Sequence, residues 1–482
     1  MHTVPARAVP ARAGGWRPSG WLLILVGAAA FAAMMACYVA FILTHPADRW
    51  MTPVDLSVYR LGGRVAAAIA PAYNRRLAAP LYDWPGNGLK FTYPPFAALV
   101  FTILILPSWG LLLKLTLGVS IAAMIASIWS TLGGLGYRAG AARLGGTLLL
   151  AAALFWLEPV QRTLYLGQVE LVLMALIMWD MCQPDGRWWK GAGVGIAAGV
   201  KLVPLVFIPY LLLTRRFRQA AVAAGTFAAT VALGFAVLPA DSRAWWLDGL
   251  FVQGSRTGFV GWEGNQSLQG LITRLSGSIA AGQPVWYGVA AVTLIAGVAV
   301  AAALDRAGHR VVGVLACALT GLLVSPVSWD HHWVWVVPAI VVLVGYGIRA
   351  HGRLRAAWLT SAVLLAGLFG AWPGFLWGKP LDLGGFSEGF IWIPPNTNPG
   401  TFAEFGDRPQ YVEYHWHGFD LVTGNLYVLT GMATFVLLAV LAVLSVRARR
   451  QRAAGRETVV SGAVAEPAEP AEPGVRPAVS PS

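Results

Sequence analysis

The sequence predicts an all-α polytopic membrane protein, and three observations carry that expectation. Hydrophobic residues make up 57% of the chain and charged residues 12%, at a mean hydropathy of +0.62, which is more apolar surface than one water-soluble core absorbs. Apolar runs of spanning length recur from Trp21 to Thr44 onward. The cations gather in short clusters at the ends of those runs, the pattern that orients spans in a bilayer. The formal charge of +13 is therefore assigned to topology, and no nucleic-acid partner is expected.

Taken in order, Arg7, Arg12 and Arg17 precede the run at 21–44, which lacks a small-residue cleavage site and reads as a retained helix. Further spans are drawn at 110–132, 144–157, 166–182, a bent pair 191–202 and 204–214, then 219–239, 286–304, 311–327, 333–348, 356–376 and 421–446, about twelve in all. The basic clusters at Arg138 and Arg143, Arg187 and Lys190, Arg215 to Arg218, Arg306 and Arg310, Arg349 to Arg355 and Arg447 to Arg452 all fall on one side. Assigning that side to the cytoplasm puts both termini inside. Outer loops 45–94, 240–285 and 377–420 then hold most of the acids. The stretch from Pro94 to Trp109 is apolar but short and contains Pro107, so it reads as a re-entrant or tilted helix. Residues 1–20 form a cytoplasmic N-terminal segment, 21–446 the membrane domain, and 447–482, with Ala-Glu-Pro repeats, a disordered cytoplasmic tail. Cys37, Cys182 and Cys317 lie in or beside apolar runs and read as small hydrophobes without a disulfide framework.

Ionisable groups at membrane depth are costly and are kept where they meet a partner or a polar cavity. Asp55 lies about ten residues past the first span, near the start of a short interfacial helix that continues through Tyr59 and Arg60; it reads as a general base or as a helix cap. Tyr93, before paired prolines, either lines a pocket or has no role beyond the turn. Glu158, Arg162, Gln168 and Glu170 crowd one membrane turn; Glu158 and Arg162 either pair at i, i+4 or line a cavity. Lys201, in the middle of an apolar stretch just before Pro204, must reach an anion, either a lipid-linked phosphate or an internal carboxylate. Trp262, Asn265 and Gln266 suit a hydroxyl-rich ligand, with a helix cap as the plain alternative. Asp330, His331 and His332 sit between two apolar runs. Adjacent helical residues point about 100° apart, so a metal held by both histidines is not expected, whereas one of them lining the cavity is.

The stretches Val54 to Tyr59, Phe91 to Phe96, Leu157 to Pro159 with Gly167-Gln168, Gly199 to Pro204, Asn265 to Ser267 and Ser325 to Trp335 occur in one order and together resemble glycosyltransferase family 87. That resemblance implies a GT-C membrane fold with short interfacial helices in its extracytoplasmic loops, an active site on that face of the plasma membrane, and inversion at the sugar. It implies a polyprenyl-phosphate-mannose donor, a mannosylated lipid or lipoglycan acceptor and an α-1,2 linkage, with no cofactor or metal. Asp55 matches the family's base, and His331 or His332 its donor-contacting histidine; Lys201 and Arg162 would bind the donor phosphate. Tyr59, Arg60, Tyr93, Glu158, Gln168, Glu170, Trp262, Asn265, Gln266 and Asp330 would face substrate. Glu170 stands where the family usually has asparagine. Two other readings compete: an arabinofuranosyltransferase using decaprenyl-phosphate-arabinose, and a transporter or flippase. The second lacks a matching broken helix in the other half of the chain.

Overall fold

A computed structural model describes residues 19–44, 51–69, 80–83, 89–372, 389–397 and 408–464, and these are helical throughout apart from two isolated β-bridges. Much of the outer loops 45–94 and 377–420, the first 18 residues and the last 18 lie outside the described residues. We number the helices α1 Gly20–Thr44, α2 Val54–Ile69, α3 Pro95–Phe101, α4 Trp109–Gly134, α5 Ala141–Leu154, α6 Glu158–Leu166, α7 Glu170–Cys182, α8 Ala192–Val200 and α9 Phe207–Leu213. They continue as α10 Phe217–Val237, α11 Pro239–Trp246, α12 Leu268–Ser276, α13 Ile279–Arg306, α14 Arg310–Val324, α15 Val336–Arg349, α16 Gly352–Leu368, α17 Gly418–Thr423 and α18 Leu426–Val464.

Among the described residues, six helical stretches are long and apolar enough to cross a bilayer: α1, α4, α10, α13, 330–349 and 426–449. A seventh crossing arises if α6 and α7, bent by 119°, count as one span. The count of about twelve drawn from hydropathy is thus not reached by single helices. The 14 residues of α5 and the 15 of α14 extend only about 21–23 Å at 1.5 Å per residue, short of a hydrocarbon core of about 30 Å. Hydropathy windows register apolar length and are blind to the breaks that divide it.

Those breaks have local causes. Pro95 at the first turn starts α3, which passes into a 3-10 turn, Thr102–Ile105, and stops before Pro107, so the stretch before Trp109 is a short helix that cannot cross alone. The predicted bent pair at 191–214 is also broken, but at Lys201 itself: its backbone is extended, φ −148° and ψ 132°, and a 3-10 turn, Val203–Val206, follows. Gly167 ends α6 in the left-handed conformation at φ +72°, and a Cβ there would lie 2.7 Å from Leu56 Cβ. The glycine lets α2 rest on the α6–α7 corner. α18 continues to Val464, through the arginine-rich stretch assigned to the tail.

Around these breaks α1 packs along α5, where Gly27 and Gly145 leave no room for a Cβ between the backbones. α4 packs on α7, α8 on α10, α13 on α14, and α15 on α16. The core is a continuous apolar cluster that includes Phe155, Met124, Ile128, Phe207, Val337 and Tyr427. Its polar exceptions include Gln168, Glu170, Asp180 and Lys190 at the ends of α7 and α8, and Asp330 to His332 after α14.

Candidate active site

α2, the turn before α3, the α6–α7 corner, the α8 break and the 3-10 turn Asp330–Trp335 converge on a cavity of about 260 Å³. Asp55, Val58, Thr92, Tyr93, Gln168, Lys201 and His332 form its inner wall. Lys90, Trp245, Leu250, Phe251, Gln253, Arg256 and Trp329 are among its other lining residues. Sequence reading did not single out Trp245, Leu250, Phe251, Gln253 and Arg256; the signal was the aromatic and cationic content of outer loop 240–285.

Asp55 lies in the first turn of α2, where the helix end favours a negative charge. Burial raises its pKa above the ordinary aspartate value, against the lowering effects of the His331 charge, a hydrogen bond from Gln168, and the charges of Lys201 and Arg162. The Gln168 amide is fixed from behind. Its Oε1 accepts from the Tyr59 hydroxyl, which in turn lies 2.7 Å from Tyr93 Oη. With Oε1 so engaged, Nε2 is the group that donates to Asp55, an amide orientation assigned from these bonds. Tyr59 stacks on Phe101 at 4.5 Å, so it stands behind the wall and aligns the amide.

Lys201, released by the α8 break, reaches the same wall. Its ammonium pairs with Glu170 Oε1, lies 2.8 Å from His332 Nε2 and sits 5.9 Å from the centre of the Tyr93 ring. The internal carboxylate is therefore Glu170, and the ammonium also lines the cavity. An ammonium has only protons to offer, so His332 Nε2 is the acceptor and the imidazole is neutral with its proton on Nδ1.

The histidine pair departs from the sequence expectation. The segment is a 3-10 turn, and the two rings stand nearly perpendicular with centroids 4.7 Å apart. Ligand atoms of Glu170, His331 and His332 all lie within 4.8 Å of one another, so the 100° argument against a shared ligand does not hold here. The set is of a kind that holds a divalent cation, and the Lys201 ammonium already bonds two of its three members. His331 is 3% exposed with neither ring nitrogen hydrogen-bonded, while its Nδ1 lies 3.5 Å from Asp330 Oδ1.

Several predicted residues lie away from the cavity. Arg162 Nε bonds Asp330 Oδ2 at 2.9 Å and lies 4.0 Å from Glu158 Oε1, so the three form a buried charge cluster behind the site. Glu158 accepts from Trp392 Nε1 at 2.9 Å and from Tyr427 Oη at 2.7 Å, joining α6 to the 389–397 segment and to α18. Arg60 donates to the Pro107 carbonyl at 2.8 Å and packs over Trp109. Trp262 packs between Trp329 and Trp392.

Asn265 and Gln266 are 0% exposed and serve the backbone. Asn265 Nδ2 donates to the Val260 and Pro326 carbonyls while Oδ1 accepts from Ser328 N, and Gln266 donates to the Gly424 carbonyl at 2.8 Å. They hold the loops before α12 and around Trp329 in register. A sequence shows an amide beside a loop; it does not show that the amide's bonds are already taken.

The arrangement offers a buried carboxylate that can take a proton and a cation that can meet an anion, both beside a partly open cavity of about 260 Å³. The profile of glycosyltransferase family 87 matches residues 91–326, a span that holds Tyr93, Gln168, Glu170 and Lys201. The chain is 34% identical over 325 residues, 67% of its length and 74% of the relative's, to a polyprenol-phosphate-mannose-dependent alpha-(1-2)-phosphatidylinositol pentamannoside mannosyltransferase of Mycobacterium tuberculosis. It is 35% identical over 407 residues, 82% of its length and 90% of the relative's, to the enzyme of the same name from Mycolicibacterium smegmatis. A phosphatidylinositol mannoside mannosyltransferase of M. tuberculosis is 32% identical over 323 residues, 65% of this chain and 75% of that one. No solved structure matches the chain. With those relatives covered over most of their length, the chain belongs to glycosyltransferase family 87.

Proposed function

We propose that this protein is a multi-pass membrane α-1,2-mannosyltransferase that moves mannose from a polyprenol-phosphate donor to a hydroxyl of a phosphatidylinositol mannoside. The observation that carries the reading is the match at 35% identity over 82% of the chain to a relative named for that reaction. The cavity supports it, because a buried carboxylate and a cation both line a space too small for a whole lipid. On the same reading the fold is GT-C with additional short crossings, the cavity opens outside the plasma membrane, and both termini lie in the cytoplasm.

In the mechanism the donor phosphate rests against Lys201 and the acceptor hydroxyl against Asp55. The sugar hydroxyl is far too weak an acid to ionise beforehand, so Asp55 takes its proton as the oxygen attacks the anomeric carbon. The bond from that carbon to the phosphate oxygen breaks in the same displacement, inverting the centre, and the Lys201 ammonium stabilises the charge that appears on the phosphate. Gln168, held by Tyr59 and Tyr93, aims the carboxylate. Purified protein in lipid vesicles, given polyprenyl-phosphate mannose with phosphatidylinositol mannosides of different lengths, is expected to form an α-1,2-linked product. Transfer of arabinofuranose in place of mannose, or lipid movement without transfer, would sink this reading.

A further inference from the structure

Glu170 is an unexpected neighbour for an anion site. Its carboxylate pairs with Lys201, the cation of the cavity's inner wall, and lies 3.5 Å from His332 Nε2. His332 is neutral for the reason given above, so it adds no positive charge. Arg162 is bonded to Asp330 behind the wall. Two further cations line the cavity: Arg256 donates to the Tyr82 carbonyl at 3.0 Å, and Lys90 is exposed. Asp55 faces Lys201 from α2 and adds a second negative group, and the Tyr93 ring covers the ammonium at 5.9 Å. Lys201, the cation on which the donor phosphate is to rest, is therefore already matched by one carboxylate.

We propose that Glu170 makes this site select lipid phosphodiesters over lipid phosphomonoesters, admitting the donor and expelling the lipid phosphate left after transfer. The inference rests on the reading of Lys201 as the donor-phosphate partner. In the transfer, the electron pair of the broken carbon–oxygen bond stays on the phosphate oxygen, while the acceptor's proton passes to Asp55 and then to solvent. The phosphate enters as a diester with one negative charge and remains as a monoester of about −1.5 to −2 at neutral pH. A phosphate oxygen on the Lys201 ammonium lies about 5 Å from the Glu170 carboxylate. At that distance and an effective dielectric of about 20, the added charge weakens binding roughly tenfold or more. Glu170 thus opposes retention of the product more strongly than entry of the diester. The carboxylate trades donor affinity for turnover.

The test titrates the purified full-length protein at neutral pH with farnesyl phosphate and with its methyl diester, and reads the ratio of the two dissociation constants. The native protein is expected to favour the diester. Glu170→Gln tightens both, and tightens the monoester by roughly tenfold or more beyond the diester because of its added charge, so the ratio moves toward the monoester. Glu170→Asp, which keeps the charge, retains the native ratio. In turnover, Glu170→Gln becomes sensitive to inhibition by farnesyl phosphate. An unchanged ratio in Glu170→Gln overturns the inference and leaves the donor-site reading standing. A native protein that prefers the monoester overturns it without recourse to any variant, and one that binds neither lipid phosphate overturns both.

Discussion

Two polar clusters stand at opposite ends of the same three helices and are built differently. α7 starts at Glu170 in the site and ends before Asp185; α8 returns from Gly191 to Lys201; α14 runs from Arg310 to Ser325. At the far end, Asp185 receives Arg310 at 2.7 Å, Lys190 at 3.0 Å, Gln219 at 3.0 Å and Arg216 at 3.6 Å. Asp180 accepts the backbone N–H groups of Gly191 and Val194, and Arg216 grips Asp305 with two nitrogens. Burial would raise the Asp185 carboxyl, but the Arg310 bond and charge outweigh it and hold the group well below the usual carboxylate range. Every carboxylate oxygen there is met.

At the cavity end the groups are left less satisfied. His331 has two unbonded ring nitrogens, Asp55 is held above the ordinary aspartate pKa by burial, and Lys201 shares its carboxylate with an open space. The first cluster fixes the helix ends and the second keeps capacity for a ligand. A buried polar network is worth most to stability when complete, and a catalytic one is useful where it is incomplete.

That contrast can be broken. Asp55→Asn is expected to lower transfer by about 10²- to 10⁴-fold with unchanged thermal unfolding, since it removes the base and keeps the shape. Substantial turnover by Asp55→Asn would break the contrast at its catalytic end. Asp305→Ala, which leaves Arg216 and Tyr210 without the carboxylate they share, is expected to cost about 3–5 kcal/mol of stability, with the donor KM of the folded fraction unchanged. If it instead altered donor use and spared the melting temperature, the far cluster would not be a staple.

Two smaller effects sharpen the picture. Gly167→Ala forces a side chain into a left-handed position against Leu56 and is expected to cost about 1–3 kcal/mol while loosening α2 and the base it carries. Unfolding and turnover measured together should fall in step. The pH dependence of kcat/KM gives the finest reading. In the proposed mechanism Asp55 acts unprotonated, so activity is present above its folded pKa and is lost as pH falls through it, and burial places that limb above the ordinary aspartate range. Lys201→Met removes a charge that favours the ionised form and is expected to move the limb upward. A limb that stayed in place would detach Lys201 from the base.

The ionisable residues in apolar surroundings were legible without coordinates, because their cost in a bilayer demands a reason at each position. Asp55, Lys201, Gln168, Tyr93 and His332 were singled out that way, and the structure brings all five to one cavity. Arg60, Arg162, Glu158, Asn265 and Gln266 carried the same signal and lie elsewhere, because their polar atoms are consumed by Pro107, Asp330, Trp392, Val260 and Gly424 respectively. Residue type reveals a need for a partner and is silent on which partner meets it. Spacing misjudged His331 and His332 because a 3-10 turn and χ angles set where their rings lie.

By itself the sequence determined that this protein lives in a membrane and which family it belongs to, since both are written in composition, in the order of apolar runs and in short motifs. Only the tertiary structure decided which acid serves which cation, where the helices break short of a full crossing, and that the counter-ion of Lys201 is Glu170. The physical reason is that an ion pair between residues 31 positions apart depends on how two helices pack and break, and neither packing nor breaking is a property of any one stretch of chain.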